Sequence, residues 1–580
     1  MPATTTVRAV HSVCARVTRT ADPRGATRVP LRTVDPGGRA TGPAPDGREE
    51  TRGDARRPEE TRGEGTVTVA NDLTGAGRAD DAVAHWLFGD QLGPHFLAPG
   101  GDGPAHGAPV VMIEARSVLR RRRFHRAKAH LVLSAMRHRA AELGDRVRYV
   151  RAETYREGLR EAVGGAPVTV HHPTSWAALR LVRSLEQVRV LPARGFLMPQ
   201  DAFLAWADGH TGRLRQEDFY HWVRRAHDLL MDGGAPAGGR FNHDHDNREP
   251  PPRGARTLGA PRPYRPREDD VDAEVRADLD RLERDHGVRF VGRDGPRLFP
   301  ATRREALAAL RRFVDHRLAG FGPHEDAVLA GDPVMSHSLL SSSLNLGLLD
   351  PLEVVTAAEE AWRAGKVPVN SVEGFVRQVA GWREYVWQLY WYFGDDYRRR
   401  NALGHHAPLP PWFLELDADA VTARCLATVL AQVRDTGWTH HIPRLMVLGS
   451  HALQRGWDPR AVTDWFHRCF VDGYDWVMLP NVTGMSQYAD GGLMTTKPYT
   501  SGGAYIHRMS DLCGGCAYRP GDRVGHRACP FTTGYWAFSH RHRALLAGNR
   551  RTSRAVQGLD RLGDLEEVLE TDRRWDERPP

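Results

Sequence analysis

Short apolar runs recur at regular intervals in the first third of the ordered-looking chain: AHWLFGD (84–90), PVVMIEA (109–115), RVRYVRA (146–152), PVTVHHP (167–173) and VRVLPAR (188–194). Helical spacing fills several gaps between them, notably Phe124–Leu143 and Tyr155–Val163. Apolar strands alternating with amphipathic helices predict a parallel sheet with helices on its faces. Sheets of that kind bind ligands beyond the carboxyl ends of their strands. There the sequence places Gly89-Asp90-Gln91, Glu114 and His171-His172, although solvated loop residues would look the same.

From Ala301 onward the period changes to 3.6 residues. ATRREALAALRRFVDHRLAGF, DPLEVVTAAEEAWRAG, EGFVRQVAGWREYVWQLYWYFG, TARCLATVLAQVRDTG, IPRLMVLGSHALQRG and DPRAVTDWFHRCFVDG each read as helices. Asp350-Pro351 and Asp458-Pro459 are helix-start signals. The predicted fold class is α/β plus all-α. Residues 82–200 form the α/β domain, 201–300 a connector and 301–580 the helical domain. The connector holds a long Gly/Pro/Arg loop and a charged helix near Asp270–Arg284. Its arginines suit phosphates or plain solvation equally. Residues 1–81 contain no aromatic side chain and are rich in Arg, Thr, Gly, Pro and acidic residues. Such a segment cannot offset its ordering entropy, so a disordered tail is predicted. Its acidic residues and prolines oppose a transit peptide.

At 580 residues the chain is too long for one core. A hydrophobic content of 41% with 26% charged residues is that of a soluble globular protein. No run of 18 apolar residues suggests a membrane span. The net charge of +8 permits a polyanionic partner. Six cysteines are too few for a disulfide scaffold; Cys14 and Cys469 stand alone, while Cys425, Cys513, Cys516 and Cys529 form a set. In a cytosolic setting that set reads as metal-binding. Four thiolates in a tetrahedral arrangement suit zinc or a [4Fe–4S] cluster.

Three further stretches carry candidate chemistry. Ala461–Tyr505 is dense in Trp, Tyr, Asp, Asn, Gly and Met without a long apolar run, as expected of a segment shaped around something other than its own core. MSHSLLSSSLNLGLLDP (335–351) sets hydroxyls at a helix start, which suits a phosphate, or a plain Ser-rich cap. His440-His441 in GWTHHIPRL are core histidines, metal ligands or proton carriers by sequence alone.

Together GDQL (89–92), NHDHDNR (242–248), GWREY (381–385), GMSQYADGG (484–492), TKPY (496–499) and the four cysteines resemble the bacterial iron–sulfur branch of the photolyase/cryptochrome family, that of the deoxyribodipyrimidine photolyase-related proteins. The resemblance runs from about residue 82 to about residue 550. It implies an α/β antenna-type domain followed by a helical FAD-binding domain with a [4Fe–4S] cluster, and a light-driven repair enzyme, a (6-4) DNA photolyase, acting on UV-damaged DNA. Ser338, Leu340 and Ser341 match the loop that grips the flavin pyrophosphate. Trp382, Arg383, Arg444, Asp472 and Asn481 match residues around the flavin. The cluster ligands implied are Cys425, Cys513, Cys516 and Cys529. Trp465 matches the flavin-proximal electron donor, His440 and His441 the proton-transfer position, and Tyr499 and Tyr505 the lesion pocket. Two positions depart from the branch: Phe466 stands where a Tyr is expected and Asp417 where a surface Trp is expected. Trp412 and Trp438 are substitutes for the latter. The branch can hold a 6,7-dimethyl-8-ribityllumazine antenna, with Asp90, Gln91 and Glu114 at matching strand ends. The expected protein is a cytoplasmic bacterial monomer without membrane association. The rival reading is a cryptochrome-like blue-light photoreceptor that keeps the cofactors and repairs nothing.

Overall fold

The structure, a computed structural model, describes residues 83–100 and 103–580. The predicted tail 1–81 and Cys14 lie outside the described residues. Five strands form one sheet: β1 (Ala84–Leu87), β2 (Val110–Ala115), β3 (Val147–Ala152), β4 (Val168–His171) and β5 (Val188–Leu191). Each falls inside one of the five apolar runs. All pairings are parallel and the order is β3-β2-β1-β4-β5. In register, Trp86 of β1 faces Val111 of β2 on one side and Val170 of β4 on the other. Trp86, Val111, Val150 and Val170 are buried together, which is why these strands read as apolar runs rather than as alternation. The chain order reverses between β1 and β4, so the topological switch point lies there.

Helices Arg126–Leu143 and Tyr155–Val163 lie where spacing placed them. Thr154 and Glu157 form a capping box that starts the second. The stretch 201–300 is more than a loop. Helices Gln200–Asp208 and Gln216–His227 precede its Gly/Pro/Arg segment. The second buries Phe219, Tyr220 and Val223 on one face, a spacing hidden among many polar neighbours. The charged helix spans Asp270–Asp285, again with a capping box, from Asp269 and Asp272.

The remainder is helical. Its largest core joins Phe313, Phe375, Tyr385, Trp387, Tyr390 and Trp476 with residues of the sheet domain such as Leu87 and Met112. A second core surrounds Leu426, Trp457, Trp465 and Phe531. Three helices widen into π-helical turns, at Arg377–Arg383, Pro443–Gly449 and Pro480–Ser486. Among the described residues no helix is long and apolar enough to cross a membrane.

Candidate functional site

The three π-helical segments share a property the sequence did not announce. Each carries a residue expected at the flavin: Trp382 and Arg383 on the first, Arg444 on the second, Asn481 on the third. A π-turn adds a residue to the helical turn and redirects the side chains around it, which is why such turns gather at functional sites. The second and third segments approach closely. A Cβ on Gly449 would sit 2.2 Å from the Ser486 hydroxyl and 3.0 Å from the Arg444 carbonyl, so glycine is needed there.

Arg444 and Asp472 form a bidentate pair at 2.9 and 3.0 Å. Ser341 donates its hydroxyl to the same carboxylate at 2.7 Å, and the Asn345 amide donates to the Asp472 carbonyl at 3.0 Å. The Ser-rich helix start is thereby tied to the Arg–Asp pair. The Arg444 guanidinium also lies 4.1 Å from the Phe470 ring centroid. Upstream, Met335 and Leu339 hold φ of 46° and 60°, a costly conformation for side chains of that size. Ser338 caps this loop by accepting from Leu340 N at 3.3 Å, and Leu340 is buried. Arg383 lies over Phe196 at 4.4 Å and Trp476 at 5.2 Å, and pairs with Glu384 at 3.1 Å. Burial pushes the Glu384 carboxyl up to about 7 despite that partner. The buried Nε of Arg383 has no protein partner. Trp382 is half-buried and packs edge-on near Tyr385. Asn481 donates to the Val477 carbonyl of its own helix at 2.8 Å, so one of its two amide hydrogens is committed.

His440 and His441 part company. His440 is buried, with both ring nitrogens unpartnered. It stacks on His337, ring centroids 4.3 Å apart and planes at 22°. His337, in the Ser-rich loop, was not singled out in the sequence. His441 has an accessible side chain, yet desolvation first and Arg444 second hold its pKa at about 4. Tyr499 and Tyr505 form a separate group with Arg248 and Asp326, whose charges bear on both phenols, while Asp244 bears on Tyr499. The NHDHDNR stretch is thus brought to the tyrosines. No hydrogen bond or ring contact joins them to the histidines among the described residues.

Trp465 is buried, and its indole N–H donates to the Phe413 carbonyl at 2.9 Å. The four cysteines, from the helix Arg424–Thr436, the 513–516 turn and the residue before the helix Pro530–Arg541, line one small pocket with Tyr518, Pro530 and Phe531. Burial raises the Cys425 thiol first, and the other three cysteines raise it further. Burial raises Cys513 and Cys529 too, and thiols raised in this way stay protonated until a metal cation displaces the protons. The only group of three or more His, Cys, Asp or Glu ligand atoms within 4.8 Å of one another among the described residues is His138, Asp269 and Asp272, so no three of the cysteine sulfurs approach that closely.

At the sheet's switch point, Asp90 accepts a hydrogen bond from Thr174, which follows β4. Both line a cavity of about 1340 Å³ between the sheet and the helical part, walled by Tyr155, Lys128 and Tyr474 among others. Glu114 also lines it, held by Arg137 at 2.8 and 3.1 Å. Gln91 is placed differently: it is buried and donates to the His171 carbonyl at 3.2 Å, bracing β1 against β4. Lys128 was missed by the sequence reading. Its ammonium donates to the His467 carbonyl at 2.7 Å and to that of Gly473, beside Asp472, and burial lowers its pKa to about 7.

Residues 85–288 match the family described as deoxyribodipyrimidine photo-lyase-related protein. The (6-4) photolyase of Agrobacterium fabrum is 38% identical over 503 residues, which cover 82% of this chain and 95% of that protein. A solved bacterial class III photolyase from Agrobacterium tumefaciens superimposes with a TM-score of 0.50 at 17% identity, over 87% of this chain and 98% of that one, a likeness of fold. With a π-lined Arg–Asp–Ser site behind a parallel sheet, and identity along nearly its whole described length, the chain belongs to the photolyase/cryptochrome family, among its deoxyribodipyrimidine photo-lyase-related proteins.

Proposed function

We propose that this protein repairs DNA in light, by moving an electron from reduced FAD to a (6-4) pyrimidine photoproduct. The observation that carries the reading is the joining of Ser341, Asp472 and Arg444 into one bonded set next to His440-His441. When bound, FAD supplies the photoexcited one-electron donor. The chain's residues do the rest. Ser338, Leu340 and Ser341 offer hydroxyl and backbone groups to a pyrophosphate at a helix start. Arg383 fits the same group, because its unpartnered Nε needs an acceptor. Arg444 and Asp472 neutralise each other, so the pair can face the flavin ring without leaving a bare charge in a dry site. Trp382 and Asn481 complete the wall.

His441 is the proton carrier. Return of the hydroxyl transferred in the lesion needs a group within hydrogen-bond reach that takes and gives protons. An accessible imidazole meets that need, with His440 beside it and Tyr499 and Tyr505 shaping the lesion pocket. A lesion base extruded from the stack reaches such a site at less cost than an intact one.

The four cysteines line one pocket, and the set suits a [4Fe–4S] cluster, the group the resemblance implies. Its role is to tie the C-terminal segment to the Cys425 helix. The cavity beside Asp90 and Glu114 has room for a lumazine antenna.

The test is direct. Purified protein is expected to carry FAD and roughly four iron atoms per chain, and to repair a (6-4) lesion in an oligonucleotide under blue light. Zinc in place of iron after anaerobic purification would overturn the cluster. Lesion binding without repair under light would move the reading to a photoreceptor.

A further inference from the structure

The surface Trp expected of this branch is Asp417 here, which leaves Trp465 without its usual outlet. The packing around Trp465 supplies another. Its ring neighbours are Phe413 at 4.2 Å, Phe466 at 5.1 Å and Phe470 at 6.0 Å. None of the three is readily oxidised. Phe466 and Phe470 stack on each other and lead inward, toward Arg444. Phe413 leads outward. Its ring lies 4.8 Å from Trp457 and 5.5 Å from Trp412, and those two indoles lie 6.0 Å apart. Trp465 is 0% and Trp457 4% exposed, while Trp412 is half-buried at the surface. Trp412 belongs to the same turn as Asp417, whose backbone N–H donates to the Trp412 carbonyl at 2.8 Å. Trp438, the other candidate from sequence, packs against Phe299 at 6.4 Å and makes no ring contact with this series.

We propose that Trp457 and Trp412 carry the oxidising equivalent from Trp465 to the surface, with the Phe413 ring bridging the first step. The inference rests on the flavin reading above. Trp465 gives one electron to the photoexcited oxidised flavin and becomes a radical cation. Its N–H bond to the Phe413 carbonyl helps to accommodate that charge. Trp457 then reduces Trp465, and Trp412 reduces Trp457. At the surface the oxidised Trp412 loses its indole proton to water. A soluble thiol returns one electron and one proton, and pairs of the resulting thiyl radicals close to a disulfide. The flavin gains one electron for each one the thiol loses. Tunnelling falls off exponentially with distance, so passage through rings whose successive centroids lie 4.2–6.0 Å apart outruns one long step from Trp465 to solvent.

The experiment uses full-length holoprotein with oxidised flavin, illuminated with dithiothreitol and followed by steady-state and transient absorption. Trp457→Phe and Trp412→Phe should each slow flavin photoreduction several-fold and shorten the life of the separated tryptophan radical. Trp438→Phe should leave both unchanged. Illumination without thiol, followed by peptide mass spectrometry, should find indole oxidation concentrated at Trp412. Trp412 is at the surface, so its variant keeps the test decisive if Trp457→Phe folds poorly. Wild-type photoreduction in Trp412→Phe and Trp457→Phe, alongside its loss in Trp465→Phe, overturns the route and leaves the flavin reading standing. Purified protein without flavin overturns both.

Discussion

At the scale of single residues, the site depends on a few side chains whose surroundings set their chemistry. His441 is the sharpest case. Replacing it with alanine should lower (6-4) repair by roughly 10²- to 10⁴-fold, the usual worth of a positioned acid–base group. Flavin content and lesion binding should hold, because phosphate contacts supply most nucleic-acid affinity. Loss of FAD in that variant would instead mark a packing histidine. Asp472 is bound from three directions, by Arg444, Ser341 and Asn345. Asp472→Asn leaves the Arg444 guanidinium without its counter-charge, and breaking a largely buried pair costs about 3–5 kcal/mol. The variant should melt early and lose flavin absorbance; a normally yellow, normally stable protein would show that the pair is not part of the pocket.

At the scale of elements, three π-turns and one cysteine-lined pocket organise the helical part. Gly449 lets the Pro443–Gly449 and Pro480–Ser486 segments touch. A methyl group there meets the Ser486 side chain and the Arg444 carbonyl, so Gly449→Ala should cost about 1–3 kcal/mol by overpacking. On the proposed reading it should also shift the flavin spectrum. An unchanged melting temperature with an unchanged spectrum would count against the close approach. The cysteine pocket brings the helix Arg424–Thr436 together with the 513–516 turn and Cys529. Cys513→Ser should give insoluble or cluster-free protein, read by iron content and charge-transfer absorbance. Soluble protein with full iron would remove Cys513 from the ligand set.

At the scale of the whole molecule, desolvated histidines set the acid limit. Eight of them, His85, His95, His125, His172, His337, His405, His441 and His542, are lowered from 6.5 to about 3 or 4, desolvation being the first cause in each. Between pH 6.5 and 4 the unfolded chain binds protons at these positions and the native chain does not, so stability falls as pH falls. Glu325, Asp326 and Glu384 act in the opposite sense, because burial raises them to about 8, 6 and 7 and the native state binds their protons more tightly. Burial raises Asp90, Asp490 and Asp572 as well, but it also lowers His130, His171, His440, His451 and His467, and the histidines stay in control. The melting temperature should drop steadily from pH 6.5 to pH 4, and a flat profile over that window would refute the balance.

By itself the sequence determined the coarse plan. Five apolar runs became five parallel strands, and 3.6-residue spacing became the helices, because local periodicity follows from which face is buried. The cysteine set was legible too, since thiols are rare and their spacing is informative. Other features waited for the fold. The strand order that puts the switch point beside Asp90 depends on pairing, which no local pattern encodes. Gln91 and Asp90 are adjacent in sequence, yet one braces two strands and the other lines a cavity, a split made by which way each side chain points. The π-turns left no mark in residue spacing, because a single extra residue in a turn is smaller than the pattern's own scatter. The stacking of His337 on His440 and the passage from Trp465 through Phe413 to Trp457 join residues far apart in the chain. Aromatic rings pack with whatever tertiary structure brings within reach, so those contacts were decided in three dimensions alone.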